Sequence, residues 1–222
     1  MDEIIRTISV YALPVLFAIT LHEAAHAYAA KYYGDSTAFL AGRMSLNPIK
    51  HIDPFGTILL PLLLFVASSS LGGGFLFGYA KPVPVEFGKL RNPKRDMAWV
   101  ALAGPGANLL MALIWLLMLL VLPRMGVAQE FPYLVAQAGI TFNLVIFAVN
   151  MFPIPPLDGG RVMTSILPDK LAYKFARIEP YGFVIVLAMI PLKLLHYWVN
   201  PLVAGALYLL NLLTLPLKFL LN

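Results

Sequence analysis

Six stretches of this chain, roughly 4–31, 55–77, 97–122, 133–153, 181–197 and 200–221, each hold close to the 20 mostly apolar residues that cross a bilayer core. Hydrophobic residues make up 60% of the sequence and charged residues only 12%, whereas an ordinary soluble domain carries about 25% charged residues. A chain of 222 residues cannot hide so much apolar surface from water, because small domains leave much of their surface exposed. Its solvent is lipid. There a spanning segment must pair all its own backbone polar groups, which favours helices. The expected fold is an all-α polytopic membrane protein with about five to six transmembrane helices. The longest polar connections, 31–54, 78–96 and 156–180, leave no room for a soluble domain, so 1–222 reads as a single integral-membrane unit.

Charge decides how the spans are threaded. The formal net charge of +5 could suggest a nucleic-acid partner, but the basic residues sit in short runs between apolar stretches, as cytoplasmic membrane loops do. Nucleic acid is therefore not an expected partner. Nor is the first stretch a signal peptide: Asp2 and Glu3 offset Arg6, and the apolar run exceeds an ordinary h-region. If all six stretches cross, with the N-terminus in the cytoplasm, Lys31, Arg43, Lys50, Arg124 and Lys193 lie outside. If instead 55–95 dips into the membrane and returns, and the N-terminus is outside, only Arg6, Arg124 and Lys193 do. The second arrangement obeys the positive-inside bias better. It has five spans (4–31, 97–122, 133–153, 181–197, 200–221) and a re-entrant element. Within it, Phe77 to Val85 contains Pro82 and Pro84, which forbid a helix and favour extended, edge-like backbone.

The chain has no cysteine, so any metal must be held by nitrogen and oxygen. His22-Glu23-Ala24-Ala25-His26 places two imidazoles one helical turn apart, about 40° from each other on one face. That spacing lets both reach one zinc ion at about 2.0–2.1 Å, with Glu23 beside them as a general base rather than a ligand. A packing role for the pair is the alternative, but ionisable groups within a span are costly and usually functional. Catalytic zinc takes a third protein ligand and keeps one open position. Asp158 is the best candidate: the prolines of Asn150-Met151-Phe152-Pro153-Ile154-Pro155-Pro156-Leu157 unwind a helix end before it, and Gly159-Gly160 would let the backbone turn sharply. It could equally cap the helix that follows. Topology favours the ligand, because with a re-entrant 55–95 segment the ends of the first and third full spans face the same side.

These residues resemble the site-2 protease family of intramembrane zinc metalloproteases. The likeness rests on HEAAH at 22–26, Ala103-Gly104-Pro105-Gly106-Ala107-Asn108, and the Asn150-to-Gly160 segment with Leu157-Asp158-Gly159. It implies one zinc (Zn2+) per chain at His22, His26 and Asp158, Glu23 as catalytic base, and cleavage of transmembrane or membrane-proximal segments of membrane-protein substrates. It further implies that Asn150 helps hold the substrate or the oxyanion. The segment around Gly78 resembles the family's re-entrant β-element, which pairs with an unwound substrate as an added strand. Asn108 either lines the cavity or serves helix packing with Gly104 and Gly106. The chain resembles a small prokaryotic branch without PDZ or CBS modules, set in the cell membrane with its active site toward the cytoplasm. Substrate, regulatory trigger and oligomeric state are not legible.

His51 reads either as a group near the cavity mouth or as a solvated loop histidine, and His196, beside Tyr197 and Trp198, as an interfacial anchor. Two rival functions share the same residues. A metal transporter would need polar groups continuing to the opposite face. A non-cleaving helix-binding protein would not need an intact base and ligand set.

Overall fold

The computed structural model describes residues 2–51, 53, 56, 59 and 81–221. Its helices are α1 (Asp2–Tyr32), α2 (Thr37–Leu40), α3 (Pro93–Val121), α4 (Glu130–Asn150), α5 (Asp158–Ile166), α6 (Asp169–Ala176), α7 (Glu179–Met189), α8 (Leu194–Leu213) and α9 (Leu215–Leu221). Short 3-10 turns occur at Pro48–Lys50 and Phe87–Lys89, and no strand occurs among the described residues. Lys81 to Glu86 has no regular secondary structure. The rest of the expected β-element, Gly78 included, lies outside the described residues.

Three helical segments are long and apolar enough to cross a membrane: Ile5–Tyr32, Pro93–Val121 and Glu130–Asn150. The pair α7 and α8, bent by 88° at its break, makes a fourth if it counts as one span. The expected five to six helices are thus three or four among the described residues. The expected boundary near 197–200 also moves. With 11 residues, α7 is about 16 Å long, roughly half a bilayer core. The chain breaks at Ile190-Pro191, and Lys193 takes a left-handed conformation at φ 56°. Pro201, in contrast, is accommodated inside α8. There Trp198 Nε1 donates to the Ala148 carbonyl at 3.0 Å, tying α8 to the end of α4.

The three long helices form an alternating bundle. Arg6 Nη2 and Glu130 Oε2, near the starts of α1 and α4, pair at 2.9 Å, so these helices run parallel. The Arg91 N–H donates to the Tyr33 carbonyl at 2.9 Å, which brings the start of α3 beside the end of α1. The end of α1 and the start of α3 therefore lie side by side at one end of the bundle. Between α3 and α4 the core is Ala112, Trp115, Leu116, Val135, Ala136, Ile140 and Leu144, with Ala206 and Leu210 of α8. Gly139 allows the close crossing, since a Cβ there would overlap the Trp115 ring. From Arg6 to His26 is about 30 Å of helix, nearly the thickness of a bilayer core, so the HEAAH turn lies near the face opposite the Arg6–Glu130 pair.

Candidate metal centre

Each imidazole is oriented by a different part of α3. His26 Nδ1 lies 2.7 Å from the Val100 carbonyl oxygen, and His22 Nδ1 lies 2.7 Å from Asn108 Oδ1. Val100, Gly104 and Asn108 follow one another at four-residue intervals, so they form one stripe of α3, and the antiparallel His22–His26 turn docks along it. Gly104, the middle position, is bare for a steric reason: a Cβ there would overlap Nε2 of His26 and Cε1 of His22. Among the described residues, nothing lies within 4 Å of the equivalent position on Gly106. Both Nδ1 partners are oxygens, and an oxygen there can only accept. The rings therefore carry hydrogen on Nδ1 and turn Nε2 lone pairs inward.

Asp158 completes the centre from a separate element. It opens α5, but Leu157 holds the N-cap position and no side chain caps that helix. The capping alternative is thereby replaced by a carboxylate aimed at the imidazoles. Asp158 Oδ2 lies 3.2 Å from His22 Nε2 and 3.3 Å from His26 Nε2, and the two Nε2 atoms are 3.0 Å apart. Ligands about 2.0–2.1 Å from a tetrahedral zinc stand about 3.3–3.4 Å from one another. The triangle has nearly that size. Its corners are also three acceptors with no hydrogen between them, and Asp158 Oδ2 is buried without a hydrogen-bond donor. Converging lone pairs in a buried place repel unless a cation sits among them. His22, His26 and Asp158 thus suit one metal ion.

Gly159 and Gly160 have ordinary helical backbone; among the described glycines, positive φ occurs only at Gly34, Gly42 and Gly126. Their role is close approach rather than a turn. A Cβ on Gly159 would meet the Met151 carbonyl, and one on Gly160 would meet the Ile154–Pro155 backbone. Gly182 presses α7 onto the Pro155 carbonyl in the same way. The proline-rich loop after α4 is thereby clamped from two sides, which holds Asp158 beneath the imidazoles.

Glu23 is half-buried, and its Oε2 accepts the Val83 N–H at 2.8 Å. Val83 lies between two prolines in the Lys81-to-Glu86 strap, which is pinned at three further points. The Lys81 N–H donates to the His51 carbonyl at 3.0 Å, Arg43 Nη2 donates to the Lys81 carbonyl at 2.7 Å, and the Glu86 N–H donates to Asp35 Oδ2 at 2.7 Å. Asp35 is fully buried at the end of α1. Burial opposes its ionisation, but donors from Thr37 and Glu86, with Lys89 nearby, outweigh that and hold its carboxyl below the ordinary carboxylate range. The resulting hold on the strap is complete above the unfolded carboxylate's pKa and is lost as pH falls through the lower folded value.

The remaining expected residues fall elsewhere. Asn108 is buried behind His22. Asn150 is half-buried, and its side chain donates back to the Ile146 carbonyl at 3.1 Å. His51 is 1% exposed, not a solvated loop residue, and its Nε2 faces the Ser45 carbonyl at 2.7 Å. His196 is exposed. Sequence reasoning missed Val100, whose part is played by a carbonyl, and Asn143, whose buried amide meets Asn108.

Changing Gly104 to Ala should expel the metal. The added methyl meets rings pinned at both ends, so they cannot yield, and overpacking of this kind costs about 1–3 kcal/mol. Zinc content and thermal melting of Gly104→Ala would be compared with Gly106→Ala, which should bind zinc normally. Full zinc occupancy in Gly104→Ala would refute this packing.

Apolar spanning helices around a buried His/His/Asp centre define an integral membrane metal-binding protein. Residues 10–141, more than half of the chain, match Peptidase family M50. A Bacillus subtilis (strain 168) protein named "Putative zinc metalloprotease YwhC" is 35% identical over 195 residues, covering 86% of this chain and 84% of that protein. A Mycolicibacterium smegmatis protein named "Putative zinc metalloprotease Rip2" is 29% identical over 195 residues, 85% of this chain and 69% of its own. Its Mycobacterium tuberculosis (strain H37Rv) namesake is 29% identical over 187 residues, 82% of this chain and 67% of its own. No solved structure matches the chain. The chain belongs to Peptidase family M50, the site-2 protease family, and is a metalloprotease with zinc as its cofactor.

Proposed function

We propose that this protein is an intramembrane endopeptidase that hydrolyses peptide bonds in transmembrane or membrane-proximal segments of other membrane proteins. The observation that carries the reading is the acceptor triangle of His22, His26 and Asp158, with Glu23 next to His22 in the same helix and close to one end of the apolar bundle. Zinc held by these three residues would supply Lewis acidity, polarising a carbonyl and making water more acidic. Glu23 acts as the base: it takes a proton from the attacking water and delivers it to the amine nitrogen as the peptide bond breaks. Water attacks the carbonyl carbon, a tetrahedral centre forms and collapses, and the products are a carboxylate and an amine.

A helical substrate must unwind first, since its carbonyls are already hydrogen-bonded. The Lys81-to-Glu86 strap supports a place for the unwound strand. Prolines keep it extended, Val83 touches Glu23, and the carbonyls of Pro82 and Pro84 accept no hydrogen bond among the described residues. A strand laid along this edge would offer its N–H groups to those carbonyls. In this proposal Gly78 and Asn150, the latter at the end of α4, also act on the substrate. Lys31, Arg91, Lys94 and Arg95 gather at the end of the bundle that holds the triangle, and Lys94 pairs with Asp169 at 2.6 Å. Basic residues mark the cytoplasmic face. The centre is accordingly proposed to open toward the cytoplasm of a prokaryotic cell.

The test uses purified protein in detergent and a panel of single-span membrane substrates, with products read by mass spectrometry. Chelation should abolish cleavage, and zinc restored to one ion per chain should recover it. A fully zinc-loaded protein that cuts none of the panel would overturn the reading.

A further inference from the structure

We propose that Asn143, which touches no ligand atom of the centre, is a positioning residue that fixes the tautomer of His22 through Asn108. The two histidines face different problems. His26 Nδ1 meets a backbone carbonyl, which cannot turn round. His22 Nδ1 meets a side-chain amide, and a half-turn of that amide would present its NH2 group instead of its oxygen. The ring would then have to accept at Nδ1 and carry hydrogen on Nε2, where it could no longer bind metal. Something must hold the amide one way round.

Three bonds do so. Asn143 Nδ2 donates to the Gly139 carbonyl at 2.8 Å. That carbonyl only accepts, so the Asn143 oxygen is left facing Asn108. Asn108 Nδ2 then donates to Asn143 Oδ1 at 3.0 Å and to the Ala18 carbonyl at 3.2 Å, which uses both of its hydrogens. The Asn108 oxygen is thereby committed to His22. Reversing either amide would set oxygen against oxygen at Gly139 or at Ala18. Asn108 and Asn143 are both 0% exposed, so water cannot repair such a clash. The relay starts at a carbonyl of α4, crosses α3 and ends on a ligand in α1. Outer partners of this kind commonly fix a histidine's tautomer and ring orientation at metal sites.

The inference rests on zinc at this centre, and the test separates the two. Zinc affinity would be measured by chelator competition on the full-length protein in detergent, for wild type, Asn143→Ala and Asn143→Ser. Serine is close to alanine in size, yet its hydroxyl can donate to the Gly139 carbonyl one turn back and accept from Asn108. Asn143→Ala should weaken zinc binding by about 10–100-fold, with Asn143→Ser close to wild type. In 15N-histidine spectra of the zinc-loaded proteins, His22 should carry hydrogen on Nδ1 in wild type and Asn143→Ser. Wild-type affinity in Asn143→Ala would overturn the relay. Equal losses in the two variants would overturn it too, by showing that only packing matters. A wild-type protein that binds no zinc would remove the metal reading itself, and the relay with it.

Discussion

Replacing Glu23 with Gln should leave zinc binding near one ion per chain and cut hydrolysis by about 10²–10⁴-fold, the range attributed to a positioned acid–base group. The substitution isolates the proton transfer because little else changes. Glutamine is nearly isosteric, and its amide oxygen can still accept the Val83 N–H that now meets Glu23 Oε2 at 2.8 Å. The strap therefore keeps its anchor, and the three corners of the metal triangle are untouched. Only the capacity to take a proton from water is lost. Single-turnover cleavage of one membrane substrate, with zinc content measured on the same samples, separates the possibilities. Cleavage by Glu23→Gln at the wild-type rate would rule Glu23 out as the base. A variant that loses its zinc would show instead that Glu23 supports the metal.

Sequence logic reached furthest where chemistry and period coincide. His22 and His26 are one turn apart in an apolar helix, which alone places two nitrogens together; the triangle with Asp158 then follows from which faces the chain ends occupy. Charge bias favours returning the segment after α1 to its own side of the membrane, and helix direction sets the end of α1 beside the start of α3. Less legible were features whose cause is the shape of a neighbouring helix. Gly104 is a glycine because two rings press on it, and Gly159 because the Met151 carbonyl lies against it. Nothing in their own neighbourhood in sequence says so. Asn143 offered a signal that could have been used, a polar amide within an apolar span. Its partners, however, are visible only once α1, α3 and α4 are packed. The break between α7 and α8 was misplaced for a related reason: Pro191 and Pro201 look alike in sequence, yet only the first ends a helix. Pro201 lies one turn from Trp198, whose ring nitrogen binds the end of α4 and helps hold α8 in place.

Asp158→Ala should abolish the stabilisation that zinc gives the wild-type protein. Without metal, a proton on either ring's Nε2 would lie between that nitrogen and the wild-type carboxylate oxygen, 3.2 Å from His22 and 3.3 Å from His26. The variant loses that contact together with the cost of burying the carboxylate. No cap is lost, since no side chain caps α5, and Gly159 and Gly160 still seat the helix against the loop before it. The melting point of the metal-free variant is therefore the baseline for its own zinc response, as that of metal-free wild type is for its own. Zinc acts differently on the two. Wild type gains about 4 kcal/mol at a free zinc concentration about 1,000 times its Kd, because only the folded centre binds the ion. The variant keeps two imidazoles and no anionic ligand, so its affinity should fall by more than the roughly 10–100-fold that loss of an outer hydrogen-bond partner costs. At the same free zinc it should gain little stability and show no hydrolysis. Paired thermal melts with chelator and with buffered zinc read the shift in each protein. A zinc-induced shift in Asp158→Ala equal to that of wild type would show that the carboxylate is not a ligand, and the centre would then have to be rebuilt around another residue.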